Sequence, residues 1–171
     1  MKIVKIDKNN QVNGEGLRCV VWVSGCTHNC EDCHNPETHD YNFGHEITEE
    51  EKNIIMEQLL SDEISGVTLT GGDPFFPLNQ WELTELCKWM KSIAPFKQIW
   101  CYTGFTFEEV KQTKLIWYID VLIDGKYNKS KNPGLGKVKW RGSTNQRIID
   151  VKKSLWSGIA TNFYNENDEE E

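Results

Sequence analysis

Arg18-Cys19-Val20-Val21-Trp22-Val23-Ser24 runs directly into Gly25-Cys26-Thr27-His28-Asn29-Cys30-Glu31-Asp32-Cys33. The first part is apolar, β-branched and aromatic, and reads as a buried strand. The second part opens on glycine and is a polar loop carrying three cysteines with the spacing C-x3-C-x2-C. Parallel α/β sheets hold their ligands outside the carboxyl ends of the strands, which is where this loop would lie.

Working outward, short strand-like runs alternate with helical patterns, as in an α/β protein built on a mostly parallel sheet. Strands are expected at Ile3–Ile6, Arg18–Ser24, Gly66–Thr70, Gln98–Tyr102, Ile119–Ile123 and Ile148–Val151. Thr48 with Glu51 forms a capping-box pattern that opens a helix to about Leu60. Asn79 with Glu82 opens a second, in which Leu83, Leu86, Cys87 and Met90 trace a buried stripe. Thr106 with Glu109 opens a shorter third, and Asn128–Gly136 reads as a loop from its Gly, Pro and Asn content. Gly25-Cys26, Gly71-Gly72-Asp73, Thr103-Gly104 and Asp124-Gly125 each follow a strand, so the sheet would gather them at one edge. No internal repeat or linker divides the chain. One domain is expected over residues 1–160, with residues 161–171 as an acidic tail.

The length of 171 residues suits one core, and the composition, 38% hydrophobic and 26% charged, is that of an ordinary globular protein. No apolar run approaches the roughly 18 residues that span a bilayer, and Met1-Lys2-Ile3-Val4-Lys5 does not read as a secretory signal. The expected location is the cytoplasm, with no membrane partner. Five of the acids behind the net charge of -7 fall in Glu166–Glu171, leaving 21 acids against 19 bases in the body. Lys126, Lys129, Lys131, Lys137, Lys139, Arg141 and Arg147 form an acid-free basic stretch. It reads as a solvated face or a docking surface; the overall acidity and lack of a recognisable binding fold argue against nucleic acid.

Three thiolates on one compact loop can hold one face of a metal cluster. A four-iron cluster held by three thiolates leaves one iron open to a further ligand. A structural zinc site made of the three thiolates with His28, His34 or His39 fits the spacing too. A disulfide within the loop does not suit a reducing compartment. Cys19, Cys87 and Cys101 fall within the strand and helix patterns and read as core thiols. His28, His39 and His45 read as exposed loop residues.

The C-x3-C-x2-C loop after an apolar strand resembles that of the radical S-adenosylmethionine enzymes, and Cys33-His34-Asn35 continues as in their activating-enzyme branch. Where many members have an aromatic residue before the third cysteine, this chain has Asp32. Thr70-Gly71-Gly72-Asp73-Pro74 resembles the family's glycine-rich motif that meets the amino group of S-adenosylmethionine, with Asp in place of Glu. Asn13-Gly14-Glu15-Gly16-Leu17-Arg18 resembles a motif of glycyl-radical activases. Asp120–Gly125 and Trp140-Arg141-Gly142-Ser143-Thr144-Asn145-Gln146-Arg147 resemble segments of the small activases of anaerobic ribonucleotide reductase. The resemblance covers about residues 10–155.

It implies an incomplete (β/α) barrel of the radical S-adenosylmethionine type, since a closed eight-unit barrel takes about 250 residues. It implies a [4Fe–4S] cluster on Cys26, Cys30 and Cys33, and S-adenosyl-L-methionine contacted by Asp32, Cys33, His34, Gly71, Gly72, Asp73 and Pro74. The activity implied is that of an oxidoreductase, a glycyl-radical activating enzyme of the kind that acts on formate C-acetyltransferase. Its partners would be the large subunit of anaerobic ribonucleotide reductase and a low-potential donor of the flavodoxin or ferredoxin type. Lys126, Lys137, Lys139, Arg141 and Arg147 are the candidate docking residues. Another glycyl-radical enzyme or a small molecule as target, and a zinc-stabilised binding module, are the alternatives.

Overall fold

The computed structural model describes residues 1–134 and 136–164. Six strands form one sheet: β1 (Ile3–Asn10), β2 (Leu17–Val23), β3 (Ile64–Gly71), β4 (Gln98–Tyr102), β5 (Val121–Asp124) and β6 (Arg147–Asp150). They lie side by side in chain order. The inner four are parallel, while β1 and β6 pair antiparallel to their neighbours. The alternation of strands and helices in the sequence therefore becomes an α/β sheet that is mostly parallel.

Helices α1 (Glu49–Leu60), α2 (Gln80–Ile93), α3 (Phe107–Val110) and α4 (Val151–Ser157) fill the connections or follow the last strand. Thr48 and Thr106 each form the expected capping box, with Glu51 and Glu109 respectively, which satisfies amide groups left open in the first turn. Asn79 differs. Its side chain does not cap α2, although it precedes it; the amide instead donates to the carbonyls of Ser24 and Asp73 at 2.8 and 3.3 Å. Tertiary acceptors win over the local one. The α4 turn was not anticipated, because seven residues carry too little periodicity to declare a helix.

Successive strand residues point to opposite faces. On one face Cys19, Val21, Val67, Leu69, Ile99, Cys101 and Leu122 pack against Ile55 and Leu59 of α1 and Leu83, Leu86, Cys87 and Met90 of α2. That is the main core, and it holds all three scattered thiols as expected. On the other face Trp100, Val121, Ile123 and Ile148 form a smaller cluster with Trp140, Phe163 and Tyr164. Arg18 lies fully buried on this side, donating to Thr68 Oγ1 at 2.7 Å and to the carbonyls of Val67, Gln98 and Glu15 at 2.9, 2.9 and 3.1 Å. Its guanidinium stands over the Trp100 ring, 5.0 Å from the centroid. The Asn13–Arg18 motif thus works here as a structural pin joining β2, β3 and β4.

The expected tail boundary at residue 161 meets packed chain. Asp150 N–H donates to the Thr161 carbonyl at 2.9 Å, and Phe163 N–H to that of Ile148 at 2.8 Å, so this segment extends the sheet beyond β6. The acids of Glu166–Glu171 lie outside the described residues. Among the described residues no helix is long and apolar enough to cross a membrane.

Candidate metal centre

The site is assembled by backbone stitching between two loops. Gly71, at φ +108°, closes β3 in a conformation that disfavours any side chain, and its own Cβ would run into the backbone of β2. Gly72 can then donate to the Val23 carbonyl at 2.7 Å and Asp73 to that of Gly25 at 2.8 Å. Gly25 donates to Thr38 at 2.8 Å and Cys26 to His39 at 3.2 Å. A Cβ on Gly72 would meet the carbonyl oxygens of Gly25 and Thr38, so the two loops approach as closely as backbone allows.

One cavity of about 290 Å³ follows from this arrangement. Cys26, Cys30 and Cys33 line it together with Gly71, Gly72, Asp73, Thr103, Gly104 and Gly125 from the ends of β3, β4 and β5. The strand-end residues singled out in the sequence therefore do converge. His34 also lines the cavity, its ring 5.0 Å from that of Tyr127. Asp32 and Pro74 are not among the lining residues. Asp32, at φ +53°, points its carboxylate to Lys129 Nζ at 2.6 Å, and Pro74 is buried behind the glycine loop.

Burial pushes the Cys26 thiol up to about 11, against the pull of a hydrogen bond from the His28 backbone. Cys30 is also raised, by burial first and by Cys33 next, with the backbone of Tyr127 and the charge of Lys126 opposing. All three thiols are free. Three unlinked sulfurs on one concave wall, two of them facing backbone N–H donors, form a donor set that fits an iron–sulfur cluster.

Two site residues carry surprises. His28, expected in solvent, has its side chain 7% exposed, and its Nε2 lies 2.7 Å from Asp73 Oδ2. Asp73, expected to face a ligand, has its side chain only 2% exposed. Its Oδ1 accepts from Phe75 N–H at 2.8 Å and Thr103 Oγ1 at 2.9 Å; its Oδ2 accepts from Gly104 N–H at 3.0 Å. Cys26, His28 and Asp73 bring their ligand atoms within 4.8 Å of one another, but the last two are already bonded together. Through Nε2 that bond leaves only Nδ1 of His28 for a metal, and a carboxylate on the other ring nitrogen is compatible with such a role.

Of the basic residues, Lys126, Lys137 and Lys139 are exposed. Arg147 is internally engaged, with Asp124 Oδ2 at 2.5 Å and Glu108 Oε2 at 2.8 Å. Arg141 Nη1 donates to the Gln146 carbonyl at 3.2 Å. Gln146 organises the same turn: Oε1 accepts from Gly142 and Ser143 N–H at 2.9 and 3.1 Å, and Nε2 donates to Gly125 at 3.0 Å. Gln146, Tyr127, Trp22 and Tyr102 all line the cavity, although sequence reasoning gave none of them a separate place in the site. The signal for Gln146 was its motif; the two residues Trp22 and Tyr102 alternate out of the main core at their strand ends.

An α/β sheet that gathers three thiols and several glycine-marked turns at one edge defines a protein with a metal- or cluster-binding centre. Residues 12–149 match the model of a family described as a 4Fe-4S single cluster domain. The chain is 42% identical over 85% of its length to the anaerobic ribonucleoside-triphosphate reductase-activating protein of Enterobacteria phage T4, covering 91% of that protein. It is 42% identical to the protein so named from Vibrio cholerae, over 80% of this chain and 90% of that one. For Escherichia coli K12 the figures are 38%, 82% and 93%. The chain belongs to the family of anaerobic ribonucleoside-triphosphate reductase-activating proteins.

Proposed function

We propose that the chain is a radical S-adenosylmethionine activase for the large subunit of anaerobic ribonucleotide reductase. The observation that carries this is the single cavity lined by Cys26, Cys30 and Cys33 and by the glycine-marked ends of β3, β4 and β5. When bound, a [4Fe–4S] cluster would supply the one electron needed for reductive cleavage of S-adenosylmethionine, the chemistry that would remove a hydrogen atom from a glycine Cα of the partner. Cys26, Cys30 and Cys33 would hold the cluster.

The remaining residues position and exclude. Cys33 and His34 face the ligand space from the cysteine loop, with the Asp32 backbone behind them. Gly71 and Gly72 leave backbone open to the ligand's amino end. Asp73 places a negative charge behind that wall, and Pro74 closes the turn. The monotonic strand order, with helices packed on one face, supports an incomplete (β/α) barrel, and an open side gives a macromolecular glycine access. Lys126 stands between the cavity-lining residues Gly125 and Tyr127, and with the exposed Lys137 and Lys139 of the same basic stretch it supplies positive charge suited to an acidic donor of the flavodoxin or ferredoxin type or to the reductase. Arg141 and Arg147 support that surface through the Gln146 turn and through Asp124.

The test is anaerobic reconstitution with iron and sulfide, then incubation with reductant, S-adenosylmethionine and the reductase. A glycyl radical by electron paramagnetic resonance and release of 5′-deoxyadenosine are expected, with both lost in Cys30→Ser. A colourless protein that retains stoichiometric zinc, or full yield in Cys30→Ser, would overturn the reading.

A further inference from the structure

We infer that His28 is a positioning residue: through Asp73 it sets the cysteine loop against the glycine loop, so that Asp73 acts from behind the binding wall. This rests on the cluster reading above. The Asp73 carboxylate is saturated from four directions by His28, Thr103, Gly104 and Phe75, which come from the cysteine loop, the end of β4 and the glycine loop itself. The other contacts on Asp73 are all donated to its carboxylate, and His28 Nε2 completes that set as the donor in their 2.7 Å contact. No oxygen of Asp73 is left to meet an ammonium without breaking one of these bonds.

The His28 ring is fixed on its other sides too. Phe105 meets it edge-on at 4.4 Å between centroids. Gly104 lies so close that a Cβ there would strike the ring. His28 is also the second residue after Cys26 and the second before Cys30, so a ring held by Asp73 fixes the arc of chain between two thiols. Its backbone N–H faces Cys26 Sγ from the same arc. Residues that orient metal ligands from outside the coordination sphere commonly matter about 10–100-fold when removed.

The experiment uses the reconstituted protein with the cluster reduced, titrated with S-adenosylmethionine while the cluster's electron paramagnetic resonance spectrum is followed. His28→Phe fills the space beside Phe105 but cannot donate to Asp73. At matched iron and sulfide content it should need about tenfold more S-adenosylmethionine for half-conversion, with His28→Gln recovering most of the loss. Asp73→Asn should resemble His28→Phe, and the double variant should be no worse than either alone. A purely structural role would lower cluster content and leave this midpoint unmoved, which would overturn the inference. Tighter ligand binding in His28→Phe would overturn it as well, since His28 would then be competing for Asp73.

Should His28→Phe fail to take up a cluster, His28→Leu, which also cannot donate to Asp73, takes its place on the same midpoint with the same expected rise. Thermal midpoints of the apo forms of the unmodified protein, His28→Phe, Asp73→Asn and the double variant provide a reading that needs no cofactor. Non-additive losses there support the His28–Asp73 link even if unmodified protein shows no response to S-adenosylmethionine, a result that would defeat the cluster reading instead. Additive losses would defeat the link itself.

Discussion

Cys26 sits in an unusual position for a prospective ligand, because its surroundings favour the neutral thiol. Burial holds it up to about 11, so in the apo protein at neutral pH the sulfur keeps its proton. Metal uptake must displace that proton, and assembly should accelerate as pH rises toward that value. Alkylation of apo protein at Cys26, read by peptide mass spectrometry, should rise about tenfold per pH unit between pH 7 and 9. A flat profile would mean the thiol is already ionised. The three cysteines were legible in the sequence because spacing alone marks them. His28 was not: its partner is 45 positions away, and a histidine in a polar loop carries no periodicity to show that its ring is buried.

At the level of elements, the capping boxes of α1 and α3 could be read directly, since both partners lie within one turn. Asn79 shows where such reading ends, because its amide serves acceptors in two loops brought near only by the sheet. Arg147 teaches the same lesson for charge. Counted as part of a basic face, it instead joins β6 to β5 through Asp124, which is 1% exposed and also caps Phe107 N–H at 2.7 Å. Arg147→Ala should cost about 2–3 kcal/mol in urea unfolding, because it strands a buried carboxylate. Its hydrogen bond holds the Glu108 carboxyl below the ordinary value. That part of the stability is present above the ordinary carboxylate range and is lost as pH falls through the lowered value. The cost of Arg147→Ala should therefore shrink in acid, and a cost that grew would contradict the pairing.

For the whole molecule, the parallel core was foreseeable from alternating strands and helices, but the second face of the sheet was not. Its cover comes from Trp140 and from Phe163 and Tyr164 at the end of the described chain, where the sequence suggested a tail. Phe163 meets Trp100 edge-on at 5.6 Å between ring centroids, and Tyr164 edge-on at 5.0 Å. Trp140 Nε1 donates to Tyr164 Oη at 3.1 Å. Aromatic residues beside an acidic run look expendable until the strand they pair with is known. Phe163→Ala should lower stability by about 1–2 kcal/mol, measured by urea midpoint, while leaving the apo cysteines equally reactive. If reactivity rose as well, the two faces of the sheet would not be independent.

The stitching of the cysteine loop is uneven, and that has a bearing on how its two halves respond to salt. Gly25 and Cys26 are sewn to Thr38 and His39, and Gly25 also to Asp73, by backbone bonds of 2.8 to 3.2 Å. The far half of the loop is held more lightly, by Lys129 reaching Asp32 and Glu31 at 2.6 and 3.7 Å across solvent-exposed side chains. Cys26 is thus the most firmly held of the three, while beyond the arc fixed by His28 the stretch through Asp32 leans on ion pairs that salt weakens. Raised salt should therefore loosen the side of Cys30 and Cys33 first, read as a larger gain in alkylation there than at Cys26 in the apo protein.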